Sequence, residues 1–159
     1  LDSKYELPSK TTIKQRLLPE LYNEIKEKLR IYLETVESVA LTTDLWTSNY
    51  STISYMTVTC HFLKEKKLVS TVLDTLQLAG THNAENISTC LQDIIKTWKL
   101  DGKVLAVVTD NASNMLLACK IIKLEHLPCF AHTLNLTVED GIKKTENLEE
   151  LLKKCRDIV

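Results

Sequence analysis

The sequence predicts an α/β domain whose mixed sheet joins an antiparallel three-strand meander to parallel strands, with helices on the flanks. Three β-rich runs with short connections come first, which is typical of a meander. A helical segment and an almost wholly apolar run follow, as in a helix that crosses over to a buried parallel strand. The 159 residues, 44% hydrophobic and 26% charged, suffice for one domain with a real core.

An amphipathic helix is predicted before the first strand. Apolar residues recur at helical spacing over residues 9–35. Ser9, Thr11 and Thr12 are candidate caps, and Pro19 fits the first turn of such a helix. We therefore expect a helical lead-in to the sheet.

Three strands are predicted at 38–46, 50–62 and 68–78. The second is rich in β-branched and aromatic residues throughout. A charged turn at 64–67 separates the second strand from the third. Because the connections are short, the three strands should pair antiparallel.

The second half of the chain is predicted to alternate between helices and strands. A helix starts near Ala84, capped by Thr81 or His82, and Gly102 turns the chain. The run 103–109 is nearly all apolar, as expected for a parallel strand covered on both faces. The remaining elements are a helix at 113–122, a short strand at 126–130, and helices at 131–143 and 147–159.

This element order predicts where a ligand binds. A crossover helix after a meander places the fourth strand parallel to the first. If those two strands are neighbours, the chain runs outward from them in opposite directions. Ligands bind beyond the strand ends at such a topological switch point.

Two aspartates, Asp44 and Asp110, close the first and fourth strand runs. A buried carboxylate is costly unless it is paired, hydrogen-bonded or bound to a cation. Alternation places Thr42, Asp44 and Trp46 on one strand face, and Asp110 precedes a polar helix start that includes Asn111. Carboxylates from adjacent strands can share Mg²⁺ or Mn²⁺, which prefer oxygen ligands. The alternative is structural: Asp44 caps a turn and Asp110 caps the following helix.

Three other positions also have structural and functional interpretations. Trp46 could stack on a nucleobase or belong to the core. Cys129 and His132 form a C-x-x-H step without a matching pair at zinc-finger spacing. In the structural interpretation, Cys129 is a core cysteine and His132 lies in the first turn of a helix. In the functional interpretation, His132 reaches the carboxylates as a hydrogen-bond donor or proton shuttle. Cys60 and His61 point to opposite faces of a strand and make a poor metal site.

Composition limits the partners of the chain. The net charge of −1 gives no sign of a basic stripe, so if DNA is the ligand most phosphate-neutralising charge lies elsewhere in a parent protein. No apolar stretch approaches the roughly 18 residues of a membrane span, and no signal peptide is visible. The five cysteines are expected to be reduced, intracellular and mostly small core residues. Without an initiator Met, the chain is expected to be part of a longer one.

Four motifs then occur in order: LTTDLWTS at 41–48, HNAENI at 82–87, VVTDNASNM at 107–115 and PCFAHTLNL at 128–136. Together they resemble the hAT-superfamily transposases and the BED zinc-finger domain-containing proteins derived from them. The resemblance implies an RNase H-like catalytic core. It also implies cut-and-paste transposition by metal-dependent cleavage and transfer of DNA strands.

The resemblance assigns roles to individual residues. Asp44 matches the first acidic residue of the family's D-D-E triad and Asp110 the second, so both are expected to be catalytic and to bind Mg²⁺ or Mn²⁺. The residues expected to contact DNA or support the active site are Trp46, Asn111, Cys129 and His132.

The same resemblance implies that parts of the protein lie outside this chain. The family's third acid, a glutamate, follows a long helical insertion that would begin near Val159. We therefore expect a helical lead-in at 1–37 and an RNase H-like domain at 38–159 that is incomplete at its C-terminal side, hence inactive in isolation. A zinc-binding BED finger and the segments that form a homo-oligomer are expected elsewhere in the parent.

Three functions remain open at this point. The first is a hAT-type DNA transposase. The second is a domesticated relative in the nucleus, which binds DNA or regulates transcription and keeps the domain as a scaffold. The third is an α/β interaction domain without a site.

Overall fold

The structure is a computed structural model that describes residues 7–48, 53–78 and 80–157, apart from the side chain of Glu149. The strands are β1 (Val39–Thr47), β2 (Ser54–Lys64), β3 (Lys67–Gln77), β4 (Val104–Thr109) and β5 (His126–Pro128). The helices are α1 (Lys10–Thr12), a π-helical segment (Ile13–Leu17), α2 (Leu18–Thr35), α3 (Ala84–Thr97), α4 (Ser113–Ile121), α5 (Phe130–Lys144) and α6 (Leu148–Arg156).

The five strands form one mixed sheet in the order β3-β2-β1-β4-β5. β1, β2 and β3 pair antiparallel, while β4 lies parallel to β1 and β5 parallel to β4. The predicted mixed sheet with flanking helices is therefore confirmed, and the condition that the first and fourth strands are neighbours is met. The predicted start of the second strand at residues 50–52 and the end of the last helix at 158–159 lie outside the described residues.

The lead-in helical segment forms where it was predicted, from Ser9 to Thr35. Ser9 caps it, because its Oγ accepts the backbone N–H of Thr12 at 3.1 Å. Pro19 lies in the first turn of α2, as predicted, and the π-helical segment Ile13–Leu17 runs into that helix without a break. A proline ring clashes with the carbonyl four residues back and removes one hydrogen bond, so the wider turn accommodates it. Leu33, near the end of α2, is buried in the core.

The hairpin between β2 and β3 closes through two residues in the left-handed region. Glu65 and Lys66 have φ of 50° and 65°, and Lys64 pairs with Lys67. This is the conformation of a two-residue type I′ turn, whose twist matches that of the strands. Neither residue is the Asn or Gly that such turns favour, so the pattern predicted a turn but not its type.

The two faces of the sheet differ. One face packs against helices in a single apolar cluster, while the other carries threonines, a histidine and aromatic rings. The cluster includes Leu33 of α2, Val39 and Leu41 of β1, Met56, Val58 and Cys60 of β2, Val107 of β4, Ile87 and Leu91 of α3, and Met115 and Cys119 of α4. The functional residues lie on the polar face or at its edge.

Two local predictions are wrong. The cap of α3 is Asn83, whose side chain accepts the N–H of Asn86 at 2.9 Å, rather than Thr81 or His82. β4 is not covered on both faces throughout, since Leu105 is 67% exposed. The ladder between β1 and β4 shifts register next to Val39, so Leu105 has no partner residue on β1.

The cysteines divide by burial. Cys60 and Cys119 are buried in the core, whereas the prediction placed most of the five cysteines there, and burial raises the pKa of the Cys60 thiol to about 11. Cys90 and Cys129 are half-buried, and Cys155 is exposed. Within the described ranges, no helix combines the length and the apolar character needed to cross a membrane.

Candidate active site

A cavity of about 360 Å³ lies where β1 and β4 end beside the start of α5. Three strands and the segment that leads into α5 contribute to its wall. Four predicted site residues, two aspartates, a cysteine and a histidine, are among those that line it. The lining residues are Thr42, Thr43, Asp44, Thr57, Thr59, Val108, Thr109, Asp110, Cys129 and His132.

The register of the sheet explains why the two aspartates meet. Thr42 of β1 pairs with Val108 of β4 in the parallel ladder. Asp44 lies two residues after Thr42, and Asp110 two residues after Val108. Because side chains alternate and neighbouring strands lie roughly 5 Å apart, both carboxylates leave adjacent backbones on the same face. Thr57 of β2 pairs with Asp44 from the other side.

The carboxylates have free oxygens. Asp44 is exposed, and among the described residues nothing donates a hydrogen bond to its carboxylate or forms an ion pair with it. Asp110 is half-buried, and its Oδ1 accepts the N–H of Ala112 at 3.3 Å. The structural alternatives do not hold as stated, because Asp44 lies inside β1 and the cap of α4 is Ala112 rather than Asp110.

These oxygens fit a hard divalent cation. Mg²⁺ is commonly held by one or two carboxylates, with water and substrate phosphates completing its shell. Asp44 and Asp110 supply two carboxylates of this kind at one cavity. In the described part of the chain, no group of three or more His, Cys, Asp and Glu side chains is close enough to hold a metal ion. A closed zinc site at Cys129 and His132 is therefore not formed by these residues.

The C-x-x-H step lies at the start of α5. The N–H of Cys129 donates to the carbonyl of Thr109 at 2.8 Å, which continues the pairing of β5 with β4 by one residue. Cys129 is the N-cap residue of α5, so His132 falls in the first turn. His132 is exposed, and it lines the cavity together with both aspartates.

Trp46 and Asn111 lie near the cavity but do not line it. The Trp46 ring stacks on Tyr55 with a centroid distance of 4.6 Å, and its Nε1 donates to Thr57 Oγ1 at 3.4 Å. At 44% exposure Trp46 is not a core residue, so that alternative is wrong. Asn111 is exposed in the short segment between Asp110 and α4.

Sequence reasoning missed the hydroxyl groups of β2 that line the cavity, Thr57 and Thr59. They alternate with buried apolar residues along β2, which is the available signal in the sequence. It also missed that His61 bonds to Thr42 across the sheet. The prediction that Cys60 and His61 lie on opposite faces is confirmed, since Cys60 is in the core cluster and His61 on the polar face.

Comparison with known proteins agrees with the motifs. The family described as the ZBED1 RNase-like domain matches residues 42–139, which is more than half of the chain. Zinc finger BED domain-containing protein 6 of Mus musculus is 33% identical over 169 residues, covering 96% of this chain and 17% of that protein. The putative AC transposase of Zea mays is 30% identical over 166 residues, covering 94% of this chain and 20% of that protein.

Among solved structures, the catalytic core domain of HTLV-2 integrase in complex with magnesium is similar with a TM-score of 0.34 and 19% identity, over 75% of each chain. The chain thus spans a fifth or less of the length of the two curated relatives. It shares its family with transposases and with BED zinc-finger proteins. The chain belongs to the ZBED1 RNase-like domain family, and its mixed sheet is the RNase H-like fold that the four motifs implied.

Proposed function

We propose that this chain forms part of the catalytic core of a hAT-type DNA transposase, in which Asp44 and Asp110 serve metal-dependent cleavage and transfer of DNA strands. The observation that carries the proposal is that both aspartates line one cavity at neighbouring strand ends. A carboxylate pair with free oxygens at a topological switch point is typical of a catalytic centre.

In this proposal Asp44 and Asp110 hold Mg²⁺ or Mn²⁺. Such an ion, when bound, supplies charge stabilisation for a phosphodiester and activates a water or a 3′-hydroxyl as nucleophile. The N–H of Ala112 fixes the orientation of the Asp110 carboxylate. Asp44, which has no such partner among the described residues, is free to adjust to its ligand.

Other residues at the site take supporting roles in the proposal. His132 lies in the cavity wall and is able to donate a hydrogen bond or a proton to a substrate oxygen. The exposed Trp46, held by Tyr55, offers a ring face on which a base can stack. Asn111 provides an exposed amide next to Asp110, and Cys129 places the first turn of α5 against the cavity.

Metal binding tests the proposal directly. Mn²⁺ titrated into the chain should bind at the cavity, and Asp44→Asn or Asp110→Asn should abolish that binding, as measured by isothermal titration calorimetry. Asp101→Asn is the matched control, because Asp101 is an exposed carboxylate in the turn before β4. Equal Mn²⁺ binding in the wild type and both site variants contradicts the proposal.

DNA cleavage by a parent-length protein is the second test of the proposed catalytic role. Cutting of terminal-repeat DNA should require Mg²⁺ or Mn²⁺ and should be lost in Asp44→Ala and in Asp110→Ala. Undiminished cutting by either variant rules the catalytic assignment out.

A domesticated role is the second candidate. It is favoured by the net charge of −1 and by the similarity to a BED zinc-finger protein beside a transposase. In that case the domain is a scaffold in a nuclear protein that binds DNA or regulates transcription. The parent should then bind its DNA equally well with and without Asp44→Ala. For both candidates we propose that the parent protein binds DNA and acts in the nucleus. We also propose that its oligomer contacts and its zinc-binding BED finger lie outside this chain.

A further inference from the structure

A line of three hydrogen-bonded side chains crosses the polar face of the sheet and ends at the cavity. His61 of β2 lies between Ser70 of β3 and Thr42 of β1. Its Nδ1 is 2.8 Å from Ser70 Oγ and its Nε2 is 3.0 Å from Thr42 Oγ1. Both distances are those of ordinary hydrogen bonds. Ser70 is exposed and outside the cavity, whereas Thr42 lines it.

The direction of these bonds decides what Thr42 presents to the cavity. If Ser70 donates to Nδ1, then Nε2–H donates to the Thr42 oxygen and the Thr42 proton is free. If the neutral ring is protonated on Nδ1 instead, the Thr42 proton is used on Nε2 and only oxygen lone pairs remain. The nearby charges of Asp44 and Asp110 favour a proton over a lone pair at this position. These charges therefore favour the first arrangement.

We propose that Thr42 binds a non-bridging phosphate oxygen of DNA in this cavity, and that His61 and Ser70 are positioning residues that keep its hydroxyl a donor. The inference rests on the proposed function, because the phosphate enters beside the two aspartates. A hydroxyl whose oxygen already accepts a hydrogen bond is a better donor, since bonds in a chain polarise one another. A donor here also offsets the repulsion between the phosphate and the carboxylates.

Thr59 is the matched control on the same cavity. It pairs directly opposite Thr42, and both line the wall. In the described residues, no hydrogen bond joins its hydroxyl to His61. Thr42→Val and Thr59→Val therefore each remove a hydroxyl group from facing positions on neighbouring strands. Only the Thr42 hydroxyl is hydrogen-bonded to His61.

The binding experiment uses a fluorescein-labelled oligothymidylate with Mg²⁺ and fluorescence anisotropy. Thr42→Val should weaken binding about tenfold, as expected for a lost hydrogen bond to a charged group. Thr42→Ser should restore it, and Thr59→Val should change it by less than about twofold on the same scale. Equal losses in the two valine variants, or wild-type binding by Thr42→Val, overturn the inference. So does failure of the wild-type chain to bind the oligonucleotide in a Mg²⁺-dependent way.

Nitrogen-15 NMR of the histidine ring supplies a readout that a purely structural role would not move. His61 should be protonated on Nε2 and not on Nδ1, and Ser70→Ala should introduce the other tautomer and weaken oligothymidylate binding. Protonation on Nδ1 in the wild type overturns the inference. Mn²⁺ binding by the wild type, and its loss in Asp44→Asn, reports on the proposed function separately.

Discussion

At the scale of single residues, the cavity wall contains a buried hydroxyl without a partner. Thr43 is 6% exposed, and within the described structure its Oγ1 has no hydrogen-bond partner. An unsatisfied buried polar group costs roughly 1–3 kcal/mol. Thr43→Val, which keeps the shape of the side chain, should therefore raise the free energy of unfolding by about 1 kcal/mol in urea denaturation.

Thr109→Val is the control for that substitution. Thr109 is 1% exposed, but its Oγ1 bonds to His126 Nε2 at 3.0 Å. The same chemical change should therefore lower stability by about 1 kcal/mol. A lower stability of Thr43→Val than of the wild type would mean that its hydroxyl has a partner in solution.

The reactivity of the cysteine thiols tests which cysteines are buried. Burial raises the pKa of the Cys60 thiol to about 11 and also raises that of Cys119, because the thiolate is disfavoured away from water. At pH 9, iodoacetamide should modify the exposed Cys155 and leave the buried Cys60 and Cys119 unmodified. Mass spectrometry of the native chain measures this. Alkylation of Cys60 before Cys155 would contradict the fold.

The sequence was sufficient to predict which aspartates meet but not which hydroxyls surround them. Asp44 and Asp110 each close an apolar run that predicts a buried strand. Because ligand sites form beyond the strand ends at a topological switch point, the two aspartates are expected to meet there even when the register is unknown. Thr57 and Thr59 come from β2, and their position depends on the antiparallel register with β1. A one-residue slip would send them to the other face, and the pattern alone does not fix that register.

At the scale of elements, the C-terminal end of α2 is held by a lysine from another part of the fold. Lys103 Nζ donates to the carbonyl oxygens of Leu33 and Glu34 at 3.0 and 2.7 Å. These carbonyls lie at the negative end of the helix, where a cation is favourable. Lys103→Met should lower the free energy of unfolding by about 1–2 kcal/mol, measured by urea denaturation.

Lys99→Met is the matched control. Lys99 forms an exposed ion pair with Glu34 at 2.9 Å, and its hydrogen bond lowers the pKa of that carboxyl. Exposed pairs contribute little, so this variant should leave the free energy of unfolding nearly unchanged. The lowered pKa means that even this small contribution is present near neutral pH and lost as pH falls through it. Equal losses for Lys99→Met and Lys103→Met would refute the role given to Lys103.

Element types followed from periodicity, while local irregularities did not. Alternation and helical spacing predicted the order of strands and helices in the described residues. The π-helical segment before Pro19 and the register shift that exposes Leu105 arise from backbone geometry. Such features leave no periodic trace in the residue types, because they change the spacing by a single residue.

At the scale of the whole molecule, the cavity offers two carboxylates and no third acidic group among the described residues. We therefore expect this chain by itself to bind a divalent ion and DNA without joining strands. A strand-transfer assay with labelled oligonucleotides and Mn²⁺ checks this. Product formed by this chain, and lost in Asp110→Asn, would show that two acidic residues suffice.

Metal binding should also change the stability of the whole chain. An ion that binds only the folded state stabilises it by mass action, about 1.4 kcal/mol at tenfold its Kd. Mn²⁺ should therefore raise the melting temperature of the wild type and leave that of Asp44→Asn unchanged. Without metal the two proteins should melt at similar temperatures, because among the described residues nothing donates a hydrogen bond to the Asp44 carboxylate.

This comparison of melting temperatures with and without Mn²⁺ separates a metal site from a structural carboxylate pair. If Asp44 stabilised the fold through a hydrogen bond, Asp44→Asn would be less stable than the wild type in the absence of metal. The described structure gives its carboxylate no such partner, so the expected loss is zero or negative. A metal-free Asp44→Asn chain that melts below the wild type, with no Mn²⁺ response in either, would make Asp44 a structural residue and leave the cavity without a catalytic role.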